Sequence, residues 1–106
     1  MNRKKNIGYL DDVNHLKIHG WAAPLQNGAA SKVDIYINDT FFQTVSALEY
    51  RDDLKIENIG SGYAAFSIDV PSSCFDGGEY KISARFHKTK LDLQGSPKKF
   101  VSSGLP

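Results

Sequence analysis

The chain has 106 residues, with 13 Lys and Arg against 12 Asp and Glu and a formal charge of +1. Hydrophobic residues make up 41% and charged residues 24%, the balance of an ordinary globular domain. A chain of this size buries roughly 60–70% of the surface its unfolded form exposes, so one domain is expected over residues 1–106, with a body at about 8–101. Near-neutral charge argues against a nucleic-acid binder, whose footprint is usually basic. No apolar run approaches the ~20 residues of a membrane helix, so no membrane span is expected. The basic start, Met1 to Asn6, has no apolar stretch behind it and does not read as a signal peptide. Cys74 is the single cysteine, which excludes an internal disulfide.

Strand patterns then follow one another along the chain. Leu16 and Ile18 alternate with Lys17 and His19 and run on into Gly20-Trp21-Ala22-Ala23. Pro24 to Ser31 is rich in Gly, Asn, Pro and Ala and predicts a loop. Val33, Ile35 and Ile37 alternate with Asp34, Tyr36 and Asn38, a period of two. Asn38-Asp39 tolerates positive φ at both positions and predicts a tight hairpin into the next strand. Ala47 to Leu54 is the best helical candidate, long enough for one turn or a 3₁₀ piece. Gly60-Ser61-Gly62 marks a break. Ala64, Phe66, Ile68 and Val70 alternate with Ala65, Ser67 and Asp69. Asp76-Gly77-Gly78 predicts a turn, and Tyr80, Ile82, Ala84 and Phe86 alternate with Lys81, Ser83, Arg85 and His87. His87 to Lys90 predicts a hairpin into Leu91 and Leu93. The residues from Val101 onward and the first six read as frayed ends. Strands with one apolar and one polar face, and turns about every ten residues, predict an all-β, antiparallel Ig-like β-sandwich of about seven strands.

Several spaced features resemble one family. They are Gly20-Trp21-Ala22, Val33-Asp-Ile-Tyr-Ile-Asn-Asp39, Ala47 with Arg51-x-Asp53-Leu54, Gly60-x-Gly62, Phe66 with Pro71, Asp76-Gly77 and Leu93-x-Gly95-Ser96-Pro97. In this order, over about residues 15–100, the chain resembles the small β-sandwich modules appended to bacterial glycosyltransferases and other polysaccharide proteins. It is also similar to Ig-like repeats beside cell-wall amidases. Asn38-Asp39-Thr40 stands where that pattern usually has Asp-Gly, and Glu79-Tyr80 where a His often falls. The resemblance implies a non-catalytic accessory domain, and no cofactor is expected. Its work would be to hold a glycan, a partner subunit or another domain of the same polypeptide in place; the alternative is a structural or oligomerisation domain with no ligand of its own. The resemblance implies bacterial cytoplasm for a glycosyltransferase parent and the cell surface for a cell-wall one.

The candidate residues carry open alternatives. Trp21 is either the large filler of a small core or a platform for the apolar face of a sugar ring. Tyr36 lies on the polar side of its strand, with Phe41, Tyr50 and Tyr63 as further exposed aromatics. These read as surface scatter, as protein contacts or as glycan contacts. Adjacent Phe41 and Phe42 cannot both face one core on a regular strand. Lys81, Arg85 and His87, joined by Lys88 and Lys90, form a basic strip that is either a solvated face or a seat for an acidic polysaccharide. Arg51 and Asp53 read as a structural clamp, because a guanidinium forks two bonds to a carboxylate and pins an irregular segment. Arg51 facing a ligand is the alternative. His15 and His19 lie about 13 Å apart on a strand, too far for one metal ion. Asp11-Asp12 and Asp52-Asp53 lack the context of a calcium loop or a glycosidase cleft. Cys74 reads as a small buried apolar group rather than a nucleophile. No catalytic constellation is expected, and the chain does not read as an enzyme.

Overall fold

The computed structural model describes residues 7–13, 17–25, 28–74 and 78–101. The expected positions of His15, Leu16 and the Asp76-Gly77 turn lie outside the described residues, as do both chain ends. Eight strands and one short helix follow in order: β1 (Gly8–Val13), β2 (Lys17–Ala22), β3 (Lys32–Ile37), β4 (Thr40–Ser46), β5 (Glu49–Tyr50), α1 (Asp52–Ile56), β6 (Tyr63–Asp69), β7 (Glu79–Phe86) and β8 (Lys98–Val101). They form two four-stranded antiparallel sheets, β1-β2-β6-β5 and β4-β3-β7-β8. The chain is an all-β sandwich, and this strand order is that of an immunoglobulin-type sandwich with β4 added outside β3 at the edge of the second sheet.

Alternation places the core. Ile18, Phe66 and Ile68 from the first sheet meet Val33, Ile35, Ile82 and Ala84 from the second, with Leu10, Leu93 and Phe100 closing the ends. Gly20 belongs to this packing. A Cβ there would press on the Tyr9 carbonyl oxygen and lie 2.8 Å from the Phe66 ring, so the Gly-Trp-Ala motif begins where Phe66 crosses β2. Cys74 is buried in the same core. The Asn38-Asp39 hairpin forms as expected: both residues have positive φ, 51° and 67°, and Ile37 pairs with Thr40 across it. The hairpin after β7 forms as well, with Arg85 bridging Asp92 and the Leu93 N–H donating to the Ala84 carbonyl.

Three local readings change. The helix lies at Asp52–Ile56 rather than from Ala47, because Glu49–Tyr50 pair with β6 first. A bulge in β6 at that pairing falls at Ala64, and Ala65, which alternation puts outward, is buried because Leu54 of α1 packs over it. Strand β1 shows no alternation in Tyr9-Leu10-Asp11-Asp12-Val13 and was not among the expected strands. Its register shifts between Leu10 and Asp12. That bulge turns Asp11 to the outside of the sheet, where Arg51 meets it.

Candidate functional site

The two sheets cover their outer surfaces in different ways. Over the first sheet, the chain leaving β5 makes the five-residue α1 and a 3₁₀ turn at Gly60–Gly62. Leu54 from α1 is buried against Ala64 and Ala65, with Ile59 and Trp21 packed beside them. This is a second, smaller apolar cluster on the sheet's far side. Trp21 therefore neither fills the main core nor stands free. It faces outward on β2, opposite Tyr9 and Ala65, and is half-covered by the α1 segment.

Arg51 sits where that segment begins. Its Nε donates to Asp53 Oδ1 at 3.0 Å and its second terminal nitrogen to Asp53 Oδ2 at 2.7 Å, a two-pronged fork. Its remaining terminal nitrogen donates to Asp11 on β1, at the opposite edge of the sheet. The Arg51 N–H also donates to the Gly62 carbonyl, closing the segment from both ends. Hydrogen bonds from Arg51 hold the Asp53 carboxyl below the usual carboxylate range, even though desolvation opposes this.

Beside the clamp, Tyr50 and Tyr63 face each other across β5 and β6, with ring centroids 5.0 Å apart and planes tilted by 56°. They are 44% and 57% exposed. Gly62, with φ +94°, makes room for this pair, since a Cβ there would stand 2.5 Å from the Tyr50 ring. The Asp52 carboxylate beside Tyr50 favours the protonated phenol and raises its pKa. Along the same edge, the Ser67 hydroxyl donates to Glu49 at 3.1 Å. Two open rings thus share this edge with the exposed side chains of Glu49 and Asp52.

Among the described residues no helical segment lies over the second sheet, whose outer face is finished by side chains. Tyr36 lies between Phe41, edge-on at 5.8 Å, and the Arg85 guanidinium, 4.7 Å from its ring centre. It is half-buried rather than the most exposed aromatic, because those neighbours cover it. Phe41 is 54% exposed while Phe42 turns inward to the core, and a bulge at β4 opposite Ile35–Tyr36 separates the two directions. Three members of the basic strip face carboxylates: Lys81 meets Asp39 at 2.8 Å, Arg85 meets Asp92 at 3.0 Å and His87 meets Asp34 at 2.8 Å. His87 lies in the turn beyond β7 rather than on the strand.

Asp34 is the residue that alternation misplaced. It points to the outer face yet is only 7% exposed. Its carboxylate accepts from Thr44 Oγ1 at 2.7 Å, from His87 Nδ1 and from the Lys88 backbone N–H. Burial pushes its pKa up, but these three donors outweigh that and hold it below the ordinary carboxylate value. Among the described residues no group of three or more His, Cys, Asp and Glu side chains lies close enough to hold a metal ion. No helix of the described residues is long and apolar enough to cross a membrane.

The expected aromatic candidates therefore fall into two sets. Tyr50 and Tyr63 come together with Asp52 at the edge of one sheet, and Tyr36 and Phe41 come together with Arg85 on the face of the other. Trp21 joins neither ring pair. Asp52 and Glu49 stand beside the tyrosines without having been singled out as a pair with them. Glu49 and Tyr50 precede the Arg51-x-Asp53 motif directly, and that adjacency was the available signal. Compared with known proteins, the chain matches no family model, no curated protein and no solved structure.

Proposed function

We infer that this chain is a non-catalytic accessory module of a larger bacterial polysaccharide-related protein, in which it holds a glycan against the Tyr50–Tyr63 edge. The observation that carries this reading is the exposed ring pair with a carboxylate at its rim. A pyranose presents an apolar C–H face, which suits an aromatic ring, and a belt of hydroxyls, which need acceptors. Tyr63 offers the ring, Asp52 and Glu49 offer the acceptors, and Arg51 fixes the backbone between them. The ordered Gly-Trp-Ala, Arg-x-Asp-Leu and Leu-x-Gly-Ser-Pro motifs support the link to a glycosyltransferase-type parent. The basic strip does not favour an acidic polysaccharide, since Lys81, Arg85 and His87 already face carboxylates.

Calorimetric titration with soluble neutral and acidic bacterial polysaccharide fragments tests this reading. Binding is expected for a neutral chain and is expected to persist in salt. Tyr63→Ala is expected to weaken it at least tenfold, since truncating a central aromatic contact costs about 2 kcal/mol. Its melting temperature should stay near that of the parent chain, because Tyr63 is the more open of the two rings. Absence of binding by every fragment removes the glycan role and leaves domain positioning.

A further inference from the structure

A cleft of about 430 Å³ lies between the loop that follows β2 and the turn that follows β7, and it includes no residue of the Tyr50–Tyr63 edge. Leu25, Ala30 and Phe86 give it apolar walls. A concave, mostly apolar space with a few placed polar groups is the usual form of a small-ligand site. Four polar side chains complete the lining, and two of them are already bonded within the fold. Ser31 Oγ donates to the Ala23 carbonyl at 2.6 Å. Thr89 Oγ1 donates to the Phe86 carbonyl and accepts from the Leu91 N–H. Lys32 and His87 remain, and no acidic side chain lines the cleft. Lys32 is exposed and belongs to no ion pair among the described residues, and the same holds for Lys88 and Lys90 in the adjoining turn. The rim is therefore cationic. His87 is held from behind: its Nδ1 lies 2.8 Å from Asp34 Oδ1, and its backbone N–H donates to the Lys32 carbonyl at 3.0 Å. Asp34 is held in its ionised form, so Nδ1 carries the proton. Nε2 has no partner among the described residues.

We propose that this cleft binds a small organic anion, an apolar body ending in one carboxylate, with Lys32 and a protonated His87 at its head. The cationic rim favours an anion over a neutral or cationic ligand. The apolar walls favour a body without hydroxyls over a sugar, because hydroxyls taken out of water there find no partner. Lys32 supplies a charge-assisted contact to the carboxylate. His87 supplies the second donor once Nε2 is protonated. The charged groups around its ring are Asp34 and Lys32 from β3, Arg85 from β7, itself paired with Asp92, and Lys88 and Lys90 from its own turn. Thr44 from β4 is uncharged and donates to Asp34. Asp34 behind the ring and the ligand carboxylate in front of it both favour the imidazolium, so the anion takes up a proton as it binds.

The probes are octanoate and 1-octanol, which share an apolar chain and differ in charge. Each is titrated into the full chain at about pH 8 and about pH 6, the range over which an imidazole gains its charge, and followed by backbone amide shifts in NMR spectra. Octanoate is expected to shift residues 29–32 and 86–89, to bind about tenfold more tightly than 1-octanol, and to bind more tightly at the lower pH. Lys32→Gln alters an exposed side chain, so the melting temperature is expected to hold while octanoate affinity falls about tenfold. Lys32→Arg is expected to restore it. Failure of octanoate to shift these residues overturns the proposal. So does equal binding of 1-octanol, an affinity that does not rise at the lower pH, or a folded Lys32→Gln variant that binds octanoate as the parent chain does.

Discussion

The outer surfaces of the two sheets solve one problem in opposite ways. The first sheet is covered by a piece of chain, residues 51–62, pinned by one arginine and plugged by Leu54. The second is covered by side-chain pairs, Lys81 with Asp39, Arg85 with Asp92 and His87 with Asp34. A strapped-down segment leaves its rim free to carry Tyr50, Tyr63 and Asp52, so the groups proposed to bind stand on backbone that something else holds. On the paired face the polar groups satisfy one another, and Tyr36 is already occupied on both sides. The difference shows why exposed aromatics are poor evidence by themselves. What surrounds a ring decides whether it is open to a ligand.

Several substitutions separate the two regions, and the largest effect belongs to what they share. Phe66 fills the core between the sheets and crosses Gly20, so Phe66→Ala is expected to cost about 3–5 kcal/mol and to lower the melting temperature of the whole domain. Leu54→Ala removes only the plug of the outer cluster. It is expected to cost about 2 kcal/mol, with faster amide exchange confined to residues 51–62. Equal exchange across β3 and β7 in that variant would show that the segment is not a separate cover.

Arg51→Ala is expected to have a smaller effect, about 1 kcal/mol through the half-buried contact with Asp11, or a fall of about 4 °C in melting temperature. Unchanged stability with altered glycan binding would move Arg51 from the clamp to the ligand site. The paired face should respond to acid. Asp34 has a folded pKa held below its ordinary 3.8, so its stabilising contribution is present above that value. It is lost as pH falls through the lower folded value. Asp34→Asn should therefore flatten the stability profile below about pH 4 and leave the Tyr50–Tyr63 edge unaltered, as read by a thermal-melt series over pH. Lys81→Ala should change stability least, because the Lys81–Asp39 pair is solvated.

The strands that alternate cleanly, β3, β6 and β7, were legible because a half-buried strand writes its two faces into the order of residues. The Asn38-Asp39 turn was legible because few residues accept positive φ. Asp34 was not. Its donors include His87, 53 residues away, and local alternation carries no information about such a partner. Trp21 and Ala65 misled for a related reason: a sheet face predicted to be wet is covered by α1, and neither β2 nor β6 encodes the cover. The Arg51-x-Asp53 fork was readable from two residues in one motif, but its third contact, Asp11, depends on a bulge in a strand with no alternation. The Tyr50–Tyr63 pairing arises from register between β5 and β6, which a two-residue strand does not announce.

The central claim is that the strapped sheet, rather than the paired one, carries the binding edge. Backbone amide shifts in NMR spectra, followed during titration with a neutral polysaccharide fragment, test it most directly. The account predicts shifts concentrated at residues 49–53 and 61–65. Shifts concentrated instead on Tyr36, Phe41 and Arg85 would contradict it.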